Sequence, residues 1–379
     1  MPKPHILIVE NAMDVTGGIT SIVRSSESLR NDFHFSFVAP TGSRTIPWLK
    51  QKGFEVEELP MREIRKNLWA LALYIPFLLI NGRRLRRIIR EREVDMVVNN
   101  DFYNLTPVLH RFMPGGTVPY VCFVRFLPSK FPRPLVKLWC GLHKRHASHI
   151  IAVSQAVKRE LPFQTHVAVV YDQLPADPVA YQPSSSNTIL YPANYIQGKG
   201  HEYALESFAR IAGRYPAWNL RFVGGDMGLQ KNKNFKTVLM QRADALGLQQ
   251  RVECLGFTSD LGPLYQQAGL VLNFSESESF SLTCLEALYN GRPLIATDCG
   301  GPAEIIDAPE TGLLVPVGDI DAMTRALDNL LANAAGRHEM EERAYQTVRN
   351  KFRDEATVRI LSRIYSESIG IKSPTFNNR

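Results

Sequence analysis

Glu278 and Glu286, with seven residues between them, bracket a stretch where a serine-rich loop gives way to an apolar run, SESESFSLTCLEALYNG. Ser279 to Ser281 precede the run and Gly291 and Pro293 follow it, which predicts a helix from about Ser281 to Asn290. A buried strand, LVLNFS, leads into it. Such a helix start presents unpaired backbone N–H groups and the positive end of the helix dipole, which suits a phosphate. Glu286, one turn on, is the residue type that holds the vicinal hydroxyls of a ribose. Glu278, just ahead of the helix, could reach what lies beyond the phosphates. The same spacing also fits a plain polar stripe of Thr283, Glu286 and Asn290, with Glu278 as loop decoration.

The elements that must position these groups alternate between strand and helix. HILIVE reads as a buried parallel strand, followed by a loop with Gly17 and Gly18 and a helical run from Ile19 to Leu29. FHFSFVAP (33 to 40), VDMVVNN (94 to 100), VPYVCFV (118 to 124) and HIIAVS (149 to 154) repeat the strand pattern with helical spacers, which predicts a doubly wound parallel sheet. PADPVAYQPSSSN, from Pro175 to Asn187, reads as a linker. A second series then begins, with strands in TILYPAN, LRFVGGD, RVECLGF, AGLVLNFS and RPLIATD. A helical segment from about Asn333 to Ile369 carries an apolar stripe of Val358, Leu361, Ile364 and Tyr365. The terminal SPTFNNR is expected to fray.

These elements predict two domains at 1–178 and 188–350, and a helix at 351–370 packing back on the first; 379 residues exceed one ordinary core. Residues 1–178 hold 24 Lys and Arg against 15 Asp and Glu, while the remainder holds 20 against 22. The first domain therefore faces something acidic or an anionic surface. Leu68 to Ile80 is nearly all apolar and is followed by Arg83, Arg84, Arg86, Arg87, Arg90 and Arg92. It is too short to span a bilayer, which needs about 20 apolar residues. Two readings remain: a surface resting on anionic lipid, or a core helix with Leu85, Ile88 and Ile89 inward and a solvated basic end. Five cysteines outside CxxC spacing argue against a disulfide framework and a zinc site. No secretory leader is recognised, which predicts a cytoplasmic protein. His143, His146 and His149 read as a solvated helix face.

With EALYNGRPLIATDCGGPAEII and TGLLVPVGDIDAM, the Glu278 to Glu286 segment resembles the E-x7-E signature of the retaining glycosyltransferases of family 4. The resemblance covers most of residues 188 to 330, with fainter echoes over 1 to 160. It implies an α/β protein of the GT-B fold, two Rossmann-like doubly wound parallel-sheet domains facing a cleft. It further implies that Glu286 binds ribose hydroxyls, that Glu278 binds the donor sugar, and that Phe280, Ser281, Leu282 and Thr283 offer backbone contacts to diphosphate and sugar. Gly17 and Gly18 resemble the family's glycine loop, and Gly224 in FVGGD is a similar donor-side candidate. Lys199 matches the lysine that neutralises the leaving diphosphate.

Four positions depart from the pattern. Ser279 and Ser281 stand where glycines are usual, Asn194 where an arginine is, and Arg125 where a histidine follows the strand. Arg125 suits an acidic sugar or a phosphate but not a general base, unless it is simply an exposed loop residue. Asp319-Ile320-Asp321 spells a metal-binding DxD of another glycosyltransferase fold, but its place before a helix predicts a cap. No metal and no cofactor are expected. The resemblance thus implies hexose transfer from a nucleoside-diphosphate sugar, UDP foremost, to a glycan or polyprenyl-diphosphate-linked acceptor. The site would be at the cytoplasmic face of the inner membrane, in peripheral contact with anionic lipid and without nucleic acid. A nucleotide-sugar epimerase and a catalytically weak nucleotide-sugar-binding protein are the rival readings.

Overall fold

The computed structural model describes residues 2–61, 68–112, 118–175, 180–184, 186–352 and 354–372, with the backbone alone at 68–73 and 354. SPTFNNR and linker positions 176–179 and 185 lie outside the described residues. Two compact units result, Met1–Gln173 with Asp354–Arg379, and Leu174–Arg353.

The first unit holds strands β1 (His5–Val9), β2 (His34–Pro40), β3 (Glu55–Leu59), β4 (Met96–Asn99), β5 (Tyr120–Val124), β6 (His149–Ala152) and β7 (Val167–Val169). All pair in parallel, in the order β3-β2-β1-β4-β5-β6-β7. β1, β4 and β5 are buried along their whole length, the pattern of strands covered on both faces. The Asp354–Ile369 helix belongs to this unit and packs on β4 and β5. Leu361, Ile364 and Tyr365 are buried there, and the Tyr365 ring meets Phe33 edge-on at 5.9 Å.

The second unit holds β8 (Thr188–Pro192), β9 (Asn219–Val223), β10 (Val252–Leu255), β11 (Leu270–Asn273), β12 (Leu294–Thr297) and β13 (Gly312–Val315). Its order, β10-β9-β8-β11-β12-β13, is again all parallel. Part of the expected linker docks on this unit. Buried Arg292 donates to the Gln182 carbonyl, and the Tyr181 ring lies 5.3 Å from that of Tyr345.

Strands β3, β7 and β13 are additions to the sequence reading. Each is an edge strand, only partly buried, so its residues (EVEEL, VAV, GLLV) lack a long apolar run. Each sheet has one place where the connections reverse direction, between β1 and β4 and between β8 and β11. In doubly wound sheets, ligands bind beyond the carboxyl ends of the strands at such a switch point.

Candidate functional site

At the switch point of the second sheet, β8 runs into residues 193–200 and β11 into residues 274–281, ahead of the helix Leu282–Tyr289. Gly200 lies so close to the Phe274 carbonyl that a Cβ would stand 2.0 Å from its oxygen, and its φ is +73°. Only glycine fits, and this contact brings the Lys199 loop against the Glu278 loop. The Lys199 ammonium then donates to Glu278 Oε1 at 2.8 Å, with side chains 33% and 14% exposed. Burial opposes the lysine's charge, but the Glu278 carboxylate outweighs it and leaves the pKa raised. Glu278 itself is held by its backbone. Its N–H donates to the Cys299 carbonyl and its carbonyl accepts from the Gly301 N–H at 2.8 Å.

Ser281 begins the helix with φ +91°, a conformation costing a non-glycine residue on the order of 1–3 kcal/mol. Its hydroxyl accepts from the Cys284 N–H at 3.3 Å and from the Asn273 amide at 3.0 Å. The hydroxyl replaces a glycine's freedom with a cap. Phe280 turns its ring inward against Phe352 at 5.6 Å, so only its backbone remains on the loop side. Half-buried Leu282 follows, and Thr283 donates to the Pro192 carbonyl at 3.2 Å, tying the helix start to the end of β8. Glu286 is half-buried on the same helix.

Asn194 is part of the scaffold of this site. Its Oδ1 accepts from the Gly225 N–H at 2.9 Å. A Cβ on Gly224 would stand 2.0 Å from the Ala193 carbonyl oxygen, so the two loops touch through backbone. The structure thus joins Lys199 with Glu278, and Asn194 with the Gly224 loop, at the ends of neighbouring strands.

The switch point of the first sheet carries a different cluster. Gly17 opens the helix Gly17–Ser28, and a Cβ on Gly18 would lie 3.1 Å from Arg125 Cδ. Arg125 follows β5 and is 7% exposed, which corrects the exposed-loop reading. Its Nε donates to Asn100 Oδ1 at 2.7 Å, and its Nη1 donates to Asp172 Oδ1 at 3.0 Å and to the Ser21 hydroxyl at 3.2 Å. Asn100 in turn donates to Glu10 Oε2 at 2.5 Å. Beside them burial pushes the Asp101 carboxyl well above the usual range, although Arg125 pulls it back down. Glu10, Ser21, Asn100, Asp101 and Asp172 were not singled out from sequence. The available signal was VVNND, polar residues directly after a buried strand.

Two minor readings also resolve. Asp319 caps its helix by accepting from the Ala322 N–H at 2.8 Å, and Asp321 pairs with Arg210. The solvated histidine face is corrected. His143 is buried, bonded to Tyr120 at 3.2 Å and to the Phe102 carbonyl at 2.6 Å, and burial drives its pKa down to about 4. His149 lies on β6 rather than on the helix, because Ala147 ends the Arg133–His146 helix.

Residues 177–347 match the family profile for glycosyl transferases group 1, and residues 21–170 match that for glycosyltransferase family 4. The chain belongs to the family 4 glycosyltransferases. An N-acetyl-alpha-D-glucosaminyl L-malate synthase of Bacillus anthracis is 32% identical over 181 residues, 48% of this chain and 45% of that protein. An exopolysaccharide phosphotransferase of Streptomyces coelicolor is 33% identical over 176 residues, 45% of this chain and 18% of that one. The chain spans less than half the length of these curated relatives. The solved structure of Anabaena HepE with UDP and glucose matches with a TM-score of 0.81 at 18% identity, over 95% of this chain and 99% of that one. The two parallel-sheet units are those of the GT-B glycosyltransferase fold.

Proposed function

We propose that this glycosyltransferase moves a hexose from a nucleoside-diphosphate sugar, UDP-linked by preference, to an acceptor hydroxyl with retention of anomeric configuration and without a metal. The observation carrying this reading is the ion pair of Lys199 and Glu278 beside the Leu282 helix start at a switch point. An ammonium and free helix N–H groups suit a diphosphate, and a carboxylate beside them suits sugar hydroxyls.

In this reading Lys199 leaves Glu278 for the diphosphate, and the freed carboxylate accepts from the sugar. Glu286 accepts from the ribose hydroxyls. The bond between the anomeric carbon and the diphosphate oxygen breaks, its electron pair going to the phosphate. The acceptor oxygen bonds that carbon on the same face and passes its proton to the departing phosphate oxygen. Lys199 stabilises the developing negative charge. Arg125 acts as a positioning residue, fixing Gly18 and the start of its helix. The acceptor is a glycan or polyprenyl-diphosphate-linked glycan met at the cytoplasmic membrane face. The basic composition of the first unit supports this, as does the relative named for exopolysaccharide.

Incubation with UDP- and GDP-sugars, with nucleotide release and the product anomer followed by NMR, tests the reading. Slow release with at least one UDP-sugar is expected. Tight binding without release would make the chain a nucleotide-sugar-binding protein, and sugar conversion without release an epimerase.

A further inference from the structure

The Leu68–Glu91 helix has its rotation set by what it buries. The Tyr74 hydroxyl bonds the Leu105 backbone, Asn81 is buried with its amide toward the Pro60 carbonyl, and Leu85 and Ile89 are in the core. The opposite face is therefore outward. Ile75, Leu79 and Ile80 are 58%, 41% and 40% exposed there, beside exposed Pro76. One to two turns further on, the same face is made of exposed Arg83, Arg84, Arg87 and Arg90. Ile75, Leu79, Arg83 and Arg87 stand four apart, hence on one stripe.

The charges on this face are largely uncommitted. Arg87 pairs with Glu91 on its own helix at 2.7 Å, and Arg92, beyond the face, pairs with Glu55 and Glu57. Among the described residues, no ion pair involves Arg83, Arg84 or Arg90. Large apolar side chains thus stand exposed beside Arg83, Arg84 and Arg90, which have no acidic partner among the described residues.

We infer that this face is a docking surface for an anionic lipid bilayer. Its two properties are separated along the helix axis, apolar first and basic after, as a bilayer separates hydrocarbon from phosphate with depth. The outward apolar stretch, Ile75 to Ile80, is about 9 Å long at 1.5 Å per residue. With the helix tilted so that this stretch enters first, that length is comparable to the ~5–10 Å of apolar depth that interfacial segments reach. The arginines would then lie at phosphate level, where each adds attraction to anionic lipid. A nucleic acid would satisfy the arginines but leave the apolar half in water. No helix among the described residues is long and apolar enough to cross a membrane, so the proposed contact is peripheral, with the apolar end dipping in and the basic part at the headgroups. The inference deepens the reading of a lipid-linked acceptor and rests on it for purpose only, since the surface stands on its own residues.

The test is sedimentation of the full chain with phosphatidylcholine vesicles, with and without phosphatidylglycerol. The wild type should bind the anionic vesicles and detach as salt is raised. I75S/L79S and R83Q/R84Q should each lower the bound fraction at least about tenfold. These positions are exposed, so thermal melting should not move, and nucleotide release from a donor in the absence of vesicles should be unchanged. No binding to anionic vesicles at low salt, or equal binding by all three proteins, would overturn the inference. So would light scattering in which the wild type is a dimer that I75S/L79S splits, since a second copy would then own the face. Loss of nucleotide release by the wild type itself would count against the transferase reading instead.

Discussion

Each sheet ends at its switch point in a charged cluster built around one cation, and the two cations are used differently. At the first, Arg125 is 7% exposed and bonded to Asn100, Ser21 and Asp172, all within its own unit. At the second, Lys199 keeps a third of its side chain exposed and has one acidic partner among the described residues, Glu278. A guanidinium presents a fork of fixed donors, which makes it a good internal strut. An ammonium on a flexible stem can change partners. One cluster therefore holds structure, while the other has a charge that a ligand can take over.

That contrast is broken or sharpened most directly by removing each cation. R125A leaves Asp172, 11% exposed, without its cation and should destabilise the first unit by about 3–5 kcal/mol, read by urea unfolding. K199A leaves Glu278, 14% exposed, unpaired in its turn, but removes a cation that is a third exposed, so it should destabilise less than R125A while lowering kcat on the donor about 10²–10³-fold. If R125A unfolds like wild type and K199A does not, the two roles are reversed.

A second comparison takes one buried histidine from each unit, His143 and His201. Burial drives both His143 and His201 down to about 4 from an ordinary 6.5. The native forms are then neutral, so between pH 6.5 and 4 the unfolded chain binds more protons. Stability is full above about 6.5 and falls as the pH drops toward 4, by on the order of 2–3 kcal/mol per histidine. H143N should make that slope shallower in the first unit alone, with buried His5 and His110 keeping part of it, as monitored by urea unfolding at several pH values.

The smallest expected effect sharpens the Lys199 side. E278Q removes the carboxylate that holds the ammonium, so UDP should bind a few-fold tighter by calorimetry while turnover of the UDP-sugar falls. Weaker UDP binding would show that Glu278 orients Lys199 rather than competing for it.

Much of this was legible along the chain. Buried central strands announce themselves as apolar runs, so β1, β4, β5, β8, β11 and β12 were all readable, and the order of alternation implied parallel sheets. Edge strands β3, β7 and β13 were not, because β3 is mostly polar and β7 and β13 are three and four residues long, too short to show a strand period. Glu278, Glu286 and Lys199 could be singled out because their types and flanking motifs carry the signal. The partners of Arg125 could not, since Ser21, Asn100 and Asp172 are ordinary polar residues in three separate segments.

By itself, the amino-acid sequence determined the alternation of strand and helix, the helix start at Ser281 and the residue types available for chemistry. Each depends on neighbours within a few positions, where propensity and capping act. The tertiary structure alone decided which charges meet: Lys199 reaches Glu278 across 79 positions, and Arg125 reaches Asn100, Ser21 and Asp172. Coulomb attraction and desolvation depend on distance and burial, which only the packed sheets supply.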